Sequence, residues 1–276
     1  MLTDLHVHLR PDESGTPAER HFTVANAQRY REVASERGIT ELGCSEHVYR
    51  FAQALEVWEH PLWRESARDD LDAYVAFLRE ETDLRVGIEA DFVPGREDRM
   101  ATLLEARDWD YVIGSVHFLG DLAVDHEDFD IWDHRSHRPD EVWSRYFETL
   151  GEAARSGLFD VLAHPDLVKV WGARRPRPEG DLRRFYERAM EGIAESGIAV
   201  EVSTAGLRKP ARELYPAPAF LEMVLDAGNP IALSSDAHTP EELGFGYEQA
   251  LEVLDGLGVR EVAVFEGRER RLEPLG

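Results

Sequence analysis

Cysteine occurs once in the 276 residues, at Cys44, so no disulfide can form within the chain. A small fold stapled by bridges is excluded, and a reducing compartment fits. Lysine is nearly as scarce: Lys169 and Lys209 stand alone, and every other basic side chain is arginine. Positive charge as a whole is in deficit, with 31 Lys and Arg against 55 Asp and Glu and a formal net charge of −24. So acidic a surface repels phosphate backbones and anionic lipid, which argues against nucleic-acid and membrane partners. No basic segment followed by an apolar run opens the chain, and no apolar run approaches the length of a membrane span; the expected location is the cytoplasm. Linkers rich in Gly, Ser or Pro, low-complexity tracts and composition shifts are missing too, so residues 1–276 read as one domain. Oligomeric state is left open.

What is present is a regular alternation of short apolar runs and amphipathic helical stretches. Strand-like segments at Leu2–His8, Ile39–Ser45, Leu84–Ile88, Tyr111–Val116, Phe159–Ala163, Ile198–Ser203 and Pro230–Ser235 are separated by helical stretches such as Val24–Arg37, Ala67–Glu81, Pro139–Ser156 and Asp181–Ser196. A last helix is expected over Pro240–Leu254 and a strand-like tail over Val259–Phe265. Seven strand-then-helix units imply parallel strands joined by crossovers, hence an α/β fold. A closed barrel gathers all strand C-ends on one rim; an open doubly wound sheet competes, but no G-x-G-x-x-G follows the first strand.

The strand ends carry the chemistry. In Leu2-Thr3-Asp4-Leu5-His6-Val7-His8 the two-residue period sends Asp4, His6 and His8 to one side, so that two imidazoles leave one face together and Asp4 can fix a ring tautomer. Later strands end in Glu46-His47, Glu89-Ala90-Asp91, His117, His164 and Asp236-Ala237-His238. Six of the seven strands thus deliver a histidine or carboxylate to one rim. Six histidines with Glu89 and Asp236 exceed what one ion of four to six ligands uses, so two or three divalent ions are expected, with Glu89 best placed to bridge them. Zn, Fe and Mn suit such ligands alike. Ions of this kind lower the pKa of a bound water to about 7 and clamp a displacement at phosphorus, which points to hydrolysis of an ester or phosphoester.

Asp4-x-His6-x-His8, Glu46-His47, Glu89, His117, His164-Pro165 and Asp236-x-His238 resemble, in order and spacing over nearly the whole chain, the motifs of the PHP superfamily of metallohydrolases. Within it, Gly87–Phe92, Asp110–His117 and Thr204–Pro210 resemble histidinol-phosphate phosphatases. The resemblance implies a distorted seven-stranded TIM-like (β/α) barrel. It also implies one metal held by His6, His8, Glu89 and Asp236, a second by Glu89, His117 and His164, and a third by His47 and His238. Family members usually offer the third metal a further ligand from the loop after the first strand; here Asp12 is the expected one, ahead of Glu13 and His21.

A phosphate needs positive charge besides the metals, and Lys169, Arg208 and Lys209 lie just beyond strand ends. The expected reaction is hydrolysis of a small phosphomonoester, L-histidinol phosphate foremost, with Glu89 and Asp236 as catalytic carboxylates and Asp236 or a bound water protonating the departing alkoxide. Two other readings are a phosphoesterase acting on nucleotides or protein phosphotyrosine, and a non-catalytic metal-binding regulator. His60, His134 and His137 are expected to be solvated, and for His126 a role in covering the substrate is the lesser of two readings.

Overall fold

Residues 1–11, 18–133 and 138–276 are described by a computed structural model. Its centre is a seven-stranded sheet in which every neighbouring pair is parallel: β1 (Leu2–Asp4), β2 (Ile39–Cys44), β3 (Arg85–Asp91), β4 (Tyr111–Ser115), β7 (Val161–Leu162), β8 (Ala199–Ser203) and β9 (Ile231–Ser234), in that order. The sheet closes without a full ladder between β9 and β1. His8 N donates to Ala237 O at 2.8 Å, and Thr3 Oγ1 to Leu233 O at 2.9 Å. The barrel expectation therefore holds, and the short strands and weak seam are its distortion.

Around this sheet run α1 (Val24–Glu36), α2 (Pro61–Ser66), α3 (Leu71–Glu81), α4 (Glu97–Glu105), α5 (Pro139–Arg155), α6 (Arg183–Ser196), the single turn α7 (Ala205–Arg208), α8 (Pro218–Asp226) and α9 (Tyr247–Gly256). Local chemistry sets several boundaries. Thr23 caps α1 by accepting from Asn26 N, Asp70 caps α3 by accepting from Ala73 N, and Gly197 ends α6 in the left-handed region. The Asp70 cap also explains why the helix expected over 67–81 begins only at Leu71. The last helix is shorter than expected because Gly244 and Gly246, at φ +60° and +72°, hold the chain out of helix until Tyr247. Within the long segment after β4, Phe118–Leu119 (β5) and Leu122–Ala123 (β6) pair as a small hairpin.

Regular strand stops at Asp4, two residues short of His6, so Leu5 and Val7 do not share one environment as strict alternation predicts. Leu5 joins an inner cluster with Tyr111, Ile113, Val161, Ala199 and Ala232, while Val7 belongs to the larger core beneath the helices. Tyr111 fills the barrel axis and donates to Leu5 O at 2.5 Å. Its ring fits because Gly43 and Gly87 lack side chains: a Cβ at either would lie 2.2 Å from a Tyr111 atom. The tail is a hairpin, β10 (Glu261–Glu266) and β11 (Glu269–Pro274), whose second strand has no apolar alternation to announce it. Ala263 and Phe265 complete the inner cluster, and the turn at Gly267-Arg268 binds the residues that precede β4 and β7, so the hairpin covers the N-terminal end of the barrel.

Candidate metal centre

At the opposite end the predicted residues converge. Glu89, on β3 and 1% exposed, lies at the centre. Its Oε1 is 3.1 Å from His164 Nε2 and 3.4 Å from His117 Nε2; its Oε2 is 2.5 Å from His47 Nδ1, 3.4 Å from His6 Nε2 and 3.6 Å from His8 Nε2. Ser115 donates to Oε1 at 2.5 Å and fixes the carboxylate plane. Asp236 Oδ1 faces the same pair from above β9, 3.3 Å from His8 Nε2 and 3.6 Å from His6 Nε2. His8 stacks between His47 and His238, with ring centroids 4.2 Å from each. His164 and Asp236 sit at φ +23° and +51°, left-handed conformations that non-glycine residues adopt under constraint.

The donor set fits cations. His6 Nε2, His8 Nε2, Glu89 Oε2 and Asp236 Oδ1 are buried, and among the described residues none makes a hydrogen bond of ordinary geometry, although Glu89 Oε2 lies in close contact with His47 Nδ1. Such atoms are costly unless something binds them. Two ligand atoms about 2.1 Å from one ion at a tetrahedral angle stand about 3.4 Å apart, close to the spacings above. Three groups have ligand atoms mutually within 4.8 Å: His6, His8 and Asp236; His6, Glu89 and His164; His8, His47 and His238. His6 and His8 thus each stand in two of them, where the resemblance placed each with one metal. Burial alone would raise the Glu89 and Asp236 carboxyls, yet the facing imidazoles hold both well below their ordinary values, so two anionic groups point into one pocket. Burial keeps His47 neutral, its pKa lowered to about 3, as a ligand must be.

Carboxylates behind the rings fix their orientation. Asp91 Oδ1 meets His117 Nδ1 at 2.7 Å and Glu201 Oε1 meets His6 Nδ1 at 2.8 Å, leaving each Nε2 to face Glu89. Burial would lower His117, but Asp91 foremost raises it to about 10. Glu46, buried but held down to about 2 by Arg50, accepts from Arg50 Nη1 at 2.6 Å and Arg10 N at 3.0 Å, anchoring the loop after β1 beside His8.

Several expectations need correction. Among the described residues Asp4 hydrogen-bonds to none of the candidate ligand rings; it accepts from Ser235 N at 2.9 Å, Ser235 Oγ at 2.5 Å and Gly244 N at 3.2 Å, and so holds the turn that presents Asp236. Lys169 is not available to phosphate: its ammonium is buried against Asp166 at 2.8 Å, Glu213 at 3.2 Å and Leu214 O at 2.7 Å, tying the 213–215 segment to the loop after β7. Arg208 lies behind Asp236 and donates through Nη2 to Ser235 O and Asp236 O, at 3.0 and 2.7 Å. His60 is buried, capping α2 and contacting Asp121 O. His21 belongs to none of the three ligand groups among the described residues, whereas Asp12, Glu13, His134 and His137 lie outside those residues.

A cavity of about 740 Å³ opens over the centre, lined at its base by His47, His117, His164, Asp236 and His238. Arg50, Arg68, Arg174 and Lys209 bring positive charge to its wall, and Glu65, Asp125 and Asp128 negative charge. Only Lys209 and Asp236 among the predicted catalytic and phosphate-binding residues line it. Glu201 escaped sequence reasoning because its strand ends in no histidine. The available signal was a lone carboxylate inside Ala199-Val200-Glu201-Val202, which a buried strand tolerates only with partners. Nothing in the sequence marks Arg68 or Arg174, which come from loops.

An α/β barrel with clustered imidazoles and carboxylates on its C-terminal rim is the architecture of a metal-dependent hydrolase. The PHP domain family matches residues 21–205, and the chain belongs to that family. It is 34% identical to a probable histidinol-phosphatase of Deinococcus radiodurans, with 99% of each chain covered. It is 23% identical to the histidinol-phosphatase of Bacillus subtilis, over 90% of this chain and 98% of that one. The fold superposes on the crystal structure of a Lactococcus lactis histidinol phosphate phosphatase, complexed with Zn, L-histidinol and phosphate, at a TM-score of 0.72, 18% identity and 98% coverage of both.

Proposed function

We propose that the protein hydrolyses L-histidinol phosphate to L-histidinol and phosphate with the help of two or three divalent ions of Zn, Fe or Mn. The observation that carries the reading is the division of Glu89: one oxygen faces His117 and His164, the other His6, His8 and His47, at the base of a cavity whose wall bears arginines. His6, His8, Glu89 and Asp236 would hold one ion; Glu89, His117 and His164 a second; His47 and His238, with His8 close by and Asp12 as the proposed loop ligand, a third. Bound there, the ions would supply Lewis acidity at the phosphoryl oxygens and a nucleophile from water at neutral pH.

The chain's own residues supply the rest. Lys209 on the wall would neutralise phosphate oxygens, with Arg50, Arg68 and Arg174 adding to that field and Arg208 contributing its charge from behind Asp236. Asp236, at the cavity base, would stand beside the departing oxygen. Asp125 and Asp128 across the cavity suit the ammonium and imidazole of the alcohol portion. The names of the relatives support the same substrate. The deciding experiment is elemental analysis of the purified chain together with kcat/KM for histidinol phosphate, nucleoside monophosphates and a phosphotyrosine peptide. More than one ion per chain and a preference of at least about tenfold for histidinol phosphate are expected. A preference for either rival substrate would displace the proposal, and fully metallated protein without phosphatase activity would point to a binding role.

A further inference from the structure

Glu201, a carboxylate outside the proposed ligand set, touches two residues within it, His6 and His164. It projects from the middle of β8 and is 1% exposed. Oε1 receives His6 Nδ1 at 2.8 Å and the Ser234 hydroxyl; Oε2 receives the backbone N–H of His164 at 2.5 Å. The three donors come from the ends of β1, β9 and β7, so one side chain ties together three rim segments. Two of these belong to residues that face Glu89, His6 on its Oε2 and His164 on its Oε1. The His164 backbone that it holds is at φ +23°.

We propose that Glu201 is the positioning residue of the metal centre. It keeps the proton of the His6 ring on Nδ1, so that the Nε2 lone pair points at Glu89 and Asp236, and through its other oxygen it fixes the left-handed turn that aims His164. The proposal rests on the metal-dependent reading of the site.

The chemistry of the side chain makes this sharp. Two carboxylate oxygens accept all three donors at once, whereas an amide has one acceptor oxygen and one NH2. In Glu201→Gln, an oxygen turned to His6 and Ser234 sets the NH2 against the His164 N–H, donor to donor. The opposite rotamer sets the NH2 against His6 Nδ1, which drives the ring proton to Nε2, the atom that must bind metal. Either way one of the two ligand residues is released, although the substitution is isosteric.

The test is Zn2+ binding to the chelator-treated full-length chain, by competition with a chromophoric chelator, for wild type, Glu201→Gln and Ser234→Ala. Glu201→Gln should weaken at least one equivalent of Zn2+ by about 10–100-fold, the usual effect of losing an outer partner of a ligating histidine. Ser234→Ala, which removes only the third donor, should stay within about threefold of wild type. Wild-type affinity in Glu201→Gln at every equivalent overturns the proposal while the metal reading stands; a wild-type chain that binds no Zn2+ overturns both. Where Glu201→Gln does not fold, nitrogen NMR of the histidine rings in the wild-type chain decides. With Zn2+ added, His6 should keep a hydrogen-bonded proton on Nδ1 and lose any proton from Nε2, and a ring that carries its proton on Nε2 overturns the proposal.

Discussion

The two ends of the barrel use the same residue types to opposite ends. At the N-terminal end Asp110 and Asp160, each one residue ahead of its strand, are fully engaged. Asp110 accepts from Val86 N, Arg79 and Gly267 N; Asp160 accepts from Val112 N and, through both oxygens, Arg268. At the C-terminal end Glu89 and Asp236 are as deeply set, yet among the described residues each keeps an oxygen that makes no hydrogen bond of ordinary geometry and faces the Nε2 atoms of His6 and His8, which make none either. A carboxylate with its valences filled by the chain stabilises the fold; one left open to a cavity is reserved for something bound.

The largest expected effect should break the rim and spare the base. Glu89→Gln removes the charge that faces two sets of imidazoles, and the several kcal/mol that such a bridge contributes to charge stabilisation predicts a fall in kcat/KM of at least about 10³-fold. Metal content should drop in parallel, while the melting temperature of the chelator-treated protein should fall by no more than a few degrees. A Glu89→Gln protein that keeps its ions and most of its turnover would show that the open oxygens are not a bridging site.

How much of this was readable in advance follows the same division. Candidate ligands at strand ends stand next to an apolar run, so His6, His8, His47, Glu89, His117, His164, Asp236 and His238 could be picked from the sequence, and the structure brings them together. What could not be read depends on long-range packing. Asp4 and Lys169 occupy strand-end positions like the ligands, but their partners, Ser235 and Gly244 in one case and Glu213 and Leu214 in the other, are fixed only when distant segments meet. Glu201 lies one layer deeper than the rim, where alternation predicts an apolar side chain. The barrel itself was legible from its strand–helix repeat; the closing hairpin was not, because Glu269–Pro274 is polar and exposed and makes its only ladder with β10.

An intermediate effect should appear at the base and leave the rim alone. Asp160→Asn keeps the shape but cannot accept from Val112 N and Arg268 in the same way, and a buried charge-assisted partner lost costs about 1–3 kcal/mol of stability by denaturant unfolding, with kcat/KM unchanged. The pH dependence has a definite sign. Burial raises the Asp160 carboxyl above its ordinary 3.8 despite Arg268, so the folded chain holds this proton to higher pH than the unfolded one. Its contribution to stability is therefore greatest below about pH 4 and declines as pH rises through the raised value. The asparagine variant lacks that decline, so the cost of the substitution should shrink between about pH 3 and pH 7. A cost that grows over that range would mean that Arg268 outweighs burial.

The smallest effect concerns Cys44, which sits at the end of β2, three residues before His47, and reports on the rim without taking part in it. The thiol is fully buried and accepts from the Tyr74 hydroxyl at 3.4 Å; burial foremost, then the Glu46 carboxylate, pushes its pKa up. A thiol held in this way is inert unless the structure opens. Iodoacetamide should leave it unmodified in the metal-loaded protein and label it at once in denaturant. If ions complete the rim while the chain's own hydrogen bonds complete the base, chelation should speed native-state labelling by a factor of a few, because ligand binding to the folded form suppresses opening. Asp160→Asn, judged at equal metal saturation, should change the rate only as far as it lowers global stability. Equal labelling rates with and without metal would mean that the rim holds its shape unaided, and the contrast between the two ends would then rest on catalysis alone.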